Sequence, residues 1–383
     1  MLRVGIIGYG IRCANMVSTL CKKGDVRIVA IADVDPEGVK QRVERYKFTG
    51  MEDYNFYYDA EEMIQKENLD GVVIATRCNL HTDYAVLVAK YNIPMFLEKP
   101  VAISDEQVAK LKEIPREMVD KTIVSFPLRM TPLVQKAKEI IDSGKLGKIS
   151  QVQAWNNVDY ARVYYKEWLR DENITQGLFL QKATHDFDYI NYLLGDRRPV
   201  RVCAMKTKNI FIGDEPEGIT CFDCPKNQTC PESYYVINKR VPGNCPKEFF
   251  RCSFAKDTGN EDSGSAIVMY DDGLHAVYTQ NFVVRNEFAG KRGARVIGYE
   301  ASLEFDWHTK EIKVLHHQSD IIETYKIASH GSHGGGDDVL CESFVEVMQG
   351  KGKSVAPLSE GILSAHMCLK AKKSSIDYTF EEI

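Results

Sequence analysis

A short β-branched run, two glycines, a helical pattern and an acid follow one another at the start of the chain, and few folds use that order. Val4-Gly5-Ile6-Ile7 reads as a buried strand that runs into Gly8-Tyr9-Gly10-Ile11-Arg12-Cys13. Ile11 to Lys22 then has helical periodicity, and a second apolar run, Val26 to Ala32, ends at Asp33. Gly8 permits a tight turn, and Gly10 lets the backbone approach a pyrophosphate. The helix start at Ile11 and Arg12 offers that anion free N–H groups and a positive dipole end. An acid at Asp33 can accept hydrogen bonds from both ribose hydroxyls of NAD and repels the extra phosphate of NADP. Cys13 replaces the usual third glycine, which sets the helix slightly further from its sheet. Arg12 and Arg42 are within sequence reach of a 2′-phosphate, so NADP stays open as the cofactor.

The pattern continues through residue 125. Asn55 to Tyr58, Gly71 to Ala75 and Met95 to Leu97 read as further strands, with helices at Pro36–Tyr46 and His81–Tyr91. Continuous apolar strands separated by helices form a parallel sheet covered on both faces. The expected class is α/β, a doubly wound Rossmann sheet over 1–125. Residues 126–383 follow as an α+β domain with a largely antiparallel, open sheet. Its strands are expected at Ile149–Val158, Ala266–Tyr270, Leu274–Phe282, Arg295–Ile297, Ser302–Phe305, Ile312–Leu315 and Ile321–Tyr325. Helices are expected at Thr131–Ser143, Gly177–Leu194, Asp337–Met348 and Glu360–Ala371. Residues from about 213 to 258 fit neither pattern and read as an insert.

Composition sets outer bounds. At 383 residues the chain is long enough for two domains, and 44% apolar with 27% charged residues suits a globular protein. A formal net charge of −5, with no basic run, gives no footprint for nucleic acid. No apolar stretch is long enough to span a membrane. Eleven cysteines without a secretory signal suit a reducing, cytoplasmic setting.

Glu98-Lys99-Pro100 follows directly on the strand Met95–Leu97. With Ala75-Thr76, Asn79 and His81 after the preceding strand, and with Arg129, Pro132, Gly144, Leu146 and Gly147, the chain resembles the glucose–fructose oxidoreductase/inositol dehydrogenase (Gfo/Idh/MocA) family. Gly177 through His185, Asp186 and Asp188 resemble its catalytic helix. The resemblance implies a nicotinamide-dependent dehydrogenase acting on a polyol or sugar, with an open sheet that forms a homodimer or tetramer. It implies cofactor contacts from Gly8, Tyr9, Gly10, Ile11, Arg12, Asp33, Thr76, Asn79, His81, Glu98 and Lys99. Lys99 would lie between nicotinamide and the substrate hydroxyl, and His185 would take the hydroxyl proton. Many relatives carry an aspartate four residues before that histidine. Gln181 stands there instead, followed by Lys182.

Oxidising a secondary alcohol removes a hydride and a proton from one centre. A histidine titrates near neutrality, and a desolvated lysine either loses its proton easily or steadies a developing alkoxide. Gln181, Lys182 and His185 share a helix face at i, i+4 and i, i+3 spacing. Asp188 either orients the imidazole or faces solvent. The His330-Gly331-Ser332-His333-Gly334-Gly335-Gly336-Asp337 run reads as a connector capped by Asp337, or as a loop over the site.

Cys221, Cys224, Cys230, Cys245 and Cys252 fall inside the insert. The Cys221-x2-Cys224 pair has chelate spacing, and four of the five thiols could close a structural zinc site in a segment too polar to fold by burial. The spacing also tolerates an iron–sulfur cluster. Three functions remain open at this point: a polyol or glycoside dehydrogenase, an NAD-dependent glycosidase working by transient oxidation and elimination, and a nucleotide-binding sensor without catalysis.

Overall fold

The computed structural model describes all residues except 47–49, 52, 241, 244 and 246. The chain divides into two compact units that are discontinuous in sequence. One comprises 1–136, 187–192 and 328–369; the other comprises 137–186, 193–327 and 370–383.

The first unit is built on six strands, β1 (Leu2–Ile7), β2 (Val26–Ala32), β3 (Asn55–Tyr57), β4 (Gly71–Ile74), β5 (Met95–Leu97) and β6 (Thr122–Val124). All are parallel, in the order β3-β2-β1-β4-β5-β6. The strand order reverses at β1, so the crevice at the carboxyl ends of β1 and β4 is the switch point where such sheets hold ligands. Val4, Ile6, Val72, Val73, Ile74, Phe96 and Leu97 are fully buried, as expected for a sheet with both faces covered. Part of that cover comes from the far end of the chain. The helix Gly336–Met348 sets Phe344 edge-on to Phe96 at 5.9 Å. A Cβ placed on Gly71 would meet Met348 Sδ at 2.4 Å, so the glycine is what lets this helix lie so close.

The second unit carries nine strands: β7 (Ile149–Asn157), β8 (Pro199–Thr207), β9 (Ser263–Tyr270), β10 (His275–Asn281), β11 (Lys291–Gly298), β12 (Ala301–Asp306), β13 (Glu311–His316), β14 (Ile322–Lys326) and β15 (Glu381–Glu382). Their order is β14-β13-β12-β11-β7-β10-β9-β8-β15. Only β7 and β10 run parallel; the other neighbours are antiparallel. Alternate residues point inward, such as Val152 and Ala154 on β7 and Ala266 and Val268 on β9.

Two sequence expectations need correction here. The helix expected over 177–194 is not continuous α-helix. Phe179–Ala183 forms a π-helical turn, and α-helix runs only from Thr184 to Leu194. The insert is also less polar in effect than its composition suggests. Phe254 of the insert packs 5.3 Å from Phe211, which lies just before it and is itself 4.2 Å from Tyr165, beside the buried Tyr164, Leu178 and Phe282. Phe250 stacks on Phe222 at 3.8 Å and on Tyr234 at 4.0 Å. Of the five insert cysteines, Cys221, Cys224, Cys230 and Cys252 line one cavity, and Cys245 is not in its wall. Among the described residues no three His, Cys, Asp or Glu side chains converge tightly enough to hold a single metal ion.

Candidate active site

The nucleotide crevice is assembled from three strand ends. Gly8 leaves β1 with φ +83°, and a Cβ there would press on Thr76 at 2.8–2.9 Å, so glycine permits both the turn and the approach of the loop after β4. Gly10 is the N-cap of the helix Ile11–Cys21. It has no side-chain cap, no acid follows in the first turn, and a Cβ on it would meet nothing within 4 Å. The first N–H groups of the helix therefore face open space, which suits a pyrophosphate. Ile11 leaves an apolar side chain 62% exposed beside them. Asp33 closes β2 with its carboxylate already oriented, accepting from Tyr9 N at 2.8 Å and Asp35 N at 3.0 Å. Asn79 Oδ1 is buried without a hydrogen-bond partner among the described residues, an acceptor left for a ligand to satisfy. Together these groups fit a dinucleotide.

Other residues expected at the cofactor also make contacts within the protein. Tyr9 is buried, with its hydroxyl 3.4 Å from Met51 Sδ. His81 is buried, with Nδ1 2.8 Å from Pro100 O and Nε2 3.2 Å from Thr76 O. Burial pushes its pKa down, so the neutral ring donates to one carbonyl and holds the two loops in register. Arg12 is committed within the protein. It donates to Glu98 (3.1 Å), to Ser125 (3.2 Å) and to both oxygens of Asp337 (2.6 and 2.9 Å). That occupation takes Arg12 away from a 2′-phosphate. His333 Nδ1 lies 2.9 Å from Asp337 as well, so the glycine-rich run before the helix Gly336–Met348 is pinned at its acid. Lys99 follows Glu98 and is half-buried at the end of β5.

In the second unit a buried cation dominates. Lys182 lies in the π-helical turn and is 4% exposed. Its ammonium donates to the Tyr160 hydroxyl at 2.5 Å and sits over the Tyr160 and Tyr164 rings. Burial and the positive charge of Arg292 push its pKa down to about 7, against a smaller opposing pull from Asp186. Tyr160 is 49% exposed, so the pair reaches solvent through the phenol. Gln181 is buried and donates to Thr175 O at 3.3 Å, and His185 is buried one turn further on.

Asp186 explains the rigidity of this turn. It is fully buried and accepts from Asn156 on β7 (2.6 Å), Tyr278 on β10 (2.9 Å) and Arg292 on β11 (2.8 Å). The start of the helix is thereby bolted to the sheet, and Arg292 is held where it acts on Lys182. Sequence reasoning did not foresee this network. Its one signal was the acid beside His185, whose partners lie some 30 to 106 residues away in sequence. Asp188 also differs from expectation. Its carboxylate is buried in a bidentate pair with Arg129, so it does not face solvent.

Comparison with known proteins agrees with this geometry. Residues 2–126 match the NAD-binding Rossmann-fold oxidoreductase domain of the Gfo/Idh/MocA family, and 134–304 match that family's C-terminal domain. A Bacillus subtilis protein that carries the name of an oxidoreductase, YteT, is 26% identical over 82% of this chain and 81% of its own length. Myo-inositol 2-dehydrogenase of Thermotoga maritima is 27% identical over 51% of this chain and 55% of its own length, so the likeness spans about half of that protein. A solved levoglucosan dehydrogenase in complex with NADH has the same fold at TM-score 0.76 and 18% identity, covering 100% of this chain and 99% of that one. The protein belongs to the Gfo/Idh/MocA family of NAD-binding oxidoreductases.

Proposed function

We propose that the protein oxidises a secondary hydroxyl of a sugar, cyclitol or glycoside. The observation that carries this reading is Lys182, a buried amine held near neutrality and joined to a half-exposed phenol. Such a pair exchanges a proton with a hydroxyl at physiological pH, as alcohol oxidation requires. NAD supplies the hydride acceptor when bound. The relatives named for inositol and levoglucosan chemistry support the polyol class.

Each residue has a part in the proposal. Lys99 steadies charge developing on the substrate oxygen. His185 accepts the hydroxyl proton, and Gln181, Lys182 and Tyr160 orient the polyol and share that proton. Asp33 favours NAD over NADP, since its carboxylate repels a 2′-phosphate and Arg12 is engaged elsewhere. The protein works in a reducing, cytoplasmic setting as a homo-oligomer. Among the described residues no helix is long and apolar enough to cross a membrane.

The test is NADH formation by the purified protein across a panel of cyclitols, free sugars and glycosides. NADH accumulating with one class identifies the substrate. Release of an aglycone without net NADH would replace this reading with a glycosidase working by transient oxidation. Tight NADH binding with no turnover across the panel would favour the sensor.

A further inference from the structure

We propose that Cys221, Cys224, Cys230 and Cys252 hold a four-iron, four-sulfur cluster that orders the insert between β8 and β9. The argument rests on how the thiols are placed. An antiparallel bridge pairs Thr220 with Arg251, with Cys221 N donating to Phe250 O (2.7 Å) and Cys252 N to Ile219 O (3.2 Å), so two cysteines distant in sequence stand side by side. A pair of turns closes the other half. Asn227 N donates to Cys224 O and Cys230 N to Lys226 O, while Asn227 Nδ2 donates to Cys221 O at 3.0 Å. The four side chains then line one cavity with Lys166, Glu232, Ser233, Ser253 and Phe254.

That arrangement discriminates between metals. A structural zinc draws four ligand atoms to about 2.3 Å from one point. Here no group of three or more His, Cys, Asp or Glu side chains among the described residues is placed to hold one metal ion, while four thiols line one cavity. An iron–sulfur cluster places its own atoms between four thiolates, and the cuboidal form takes one thiolate at each of its four irons. The wall suits its charge. Four thiolates and the cluster core carry net negative charge, and Lys166, fully buried, brings an ammonium to the same cavity while donating to Phe249 O (3.3 Å) and Arg251 O (2.9 Å). Ser253 Oγ is buried with no hydrogen-bond partner among the described residues, and it can donate to a cluster sulfur. Lys166 ends the short helix Val163–Lys166, which follows Tyr160 in the chain, so the cluster steadies the segment that carries this phenol.

The experiment is iron, zinc and acid-labile sulfide analysis of the full-length protein, purified without oxygen and after reconstitution with ferrous iron and sulfide. About four iron and four sulfide per chain, with broad visible absorbance, is the expected result. Serine at any one of the four positions should lower the iron at least severalfold, whereas Cys203→Ser and Cys245→Ser should retain it. About one zinc per chain without sulfide overturns the cluster. So does a reconstituted wild-type chain that takes up no iron while its thiols titrate freely in the native state. Loss of iron in Cys245→Ser overturns the choice of ligands. The wild-type analysis decides the matter even where a serine variant fails to fold.

Discussion

Single side chains carry the proposed chemistry, and Lys182 is the most exposed to test. Its pKa is depressed to about 7 by burial and by Arg292. The unfolded chain therefore binds more protons than the folded chain between about pH 7 and the ordinary lysine range. The sign follows: stability rises with pH across that window, by up to about 5 kcal/mol, and the penalty is present in full below it. Lys182→Met should flatten this dependence in urea unfolding measured at several pH values, and should erase an inflection near neutrality in kcat/KM. A wild-type stability that does not change across the window would refute the depressed amine. Lys99→Ala and His185→Ala should each lower turnover by about 100- to 10,000-fold while NADH titration stays near normal. Near-normal turnover in either variant removes that residue from the mechanism.

At the scale of elements, a chain of charges links β5 to the helix Gly336–Met348 inside the first unit. Asp337 is almost fully buried and Glu98 nearly so, and Arg12 bridges them. Burial alone would raise the Asp337 carboxyl, but hydrogen bonds from His333 and Arg12 outweigh it and hold it well below the usual carboxylate range. A depressed carboxylate contributes stability above its unfolded pKa and loses it as pH falls further. Arg12→Met strands two buried anions, and because Arg12 is itself a third exposed the expected loss is about 2 kcal/mol at neutral pH. Chemical denaturation should also show that the variant loses much of the acid sensitivity of the wild type. Unchanged stability and unchanged pH dependence would mean that the bridge contributes nothing.

The elements also show what a sequence discloses. Buried parallel strands such as Gly71–Ile74 are unbroken apolar runs and can be read directly. Only Arg295–Ile297 of β11 is legible in the sequence, because Lys291, Arg292 and Gly293 interrupt the alternation, although Arg292 is the buried partner of Asp186. β8 has no clear sequence signature because Arg201, Cys203 and Met205 occupy its outward face and break any apolar run. The π-helical turn had no signal, since one extra residue in a turn changes geometry without changing composition. The glycine turn, Asp33 and the loop after β5 were legible because backbone geometry there demands particular residue types. Lys182 was legible as a candidate through its place beside Gln181, but its depressed proton affinity depends on Arg292, a residue far away in sequence.

At the scale of the whole molecule, the nine-stranded sheet exposes apolar side chains on two neighbouring strands. Met205, Ile267 and Met269 point outward from β8 and β9 and are exposed. In the proposed homo-oligomer this face meets a second copy, as exposed apolar patches commonly do. Ile267→Glu should reduce the mass measured by light scattering to that of one chain, with circular dichroism unchanged. A monomeric wild type, or a variant that keeps the wild-type mass, would refute the interface.

The helix that seals the Rossmann sheet comes from residues 336–348, while the strands it covers are complete by residue 124. During synthesis the nucleotide-binding half must therefore wait for almost the entire chain before its core can close. Phe96 and the surface around Gly71 stay uncovered while the second unit is still being made. A fragment ending near residue 125 would keep every glycine and acid of the dinucleotide crevice and still lack the packing that holds them. For this protein, residues 336–348 complete a core that the first 124 residues begin.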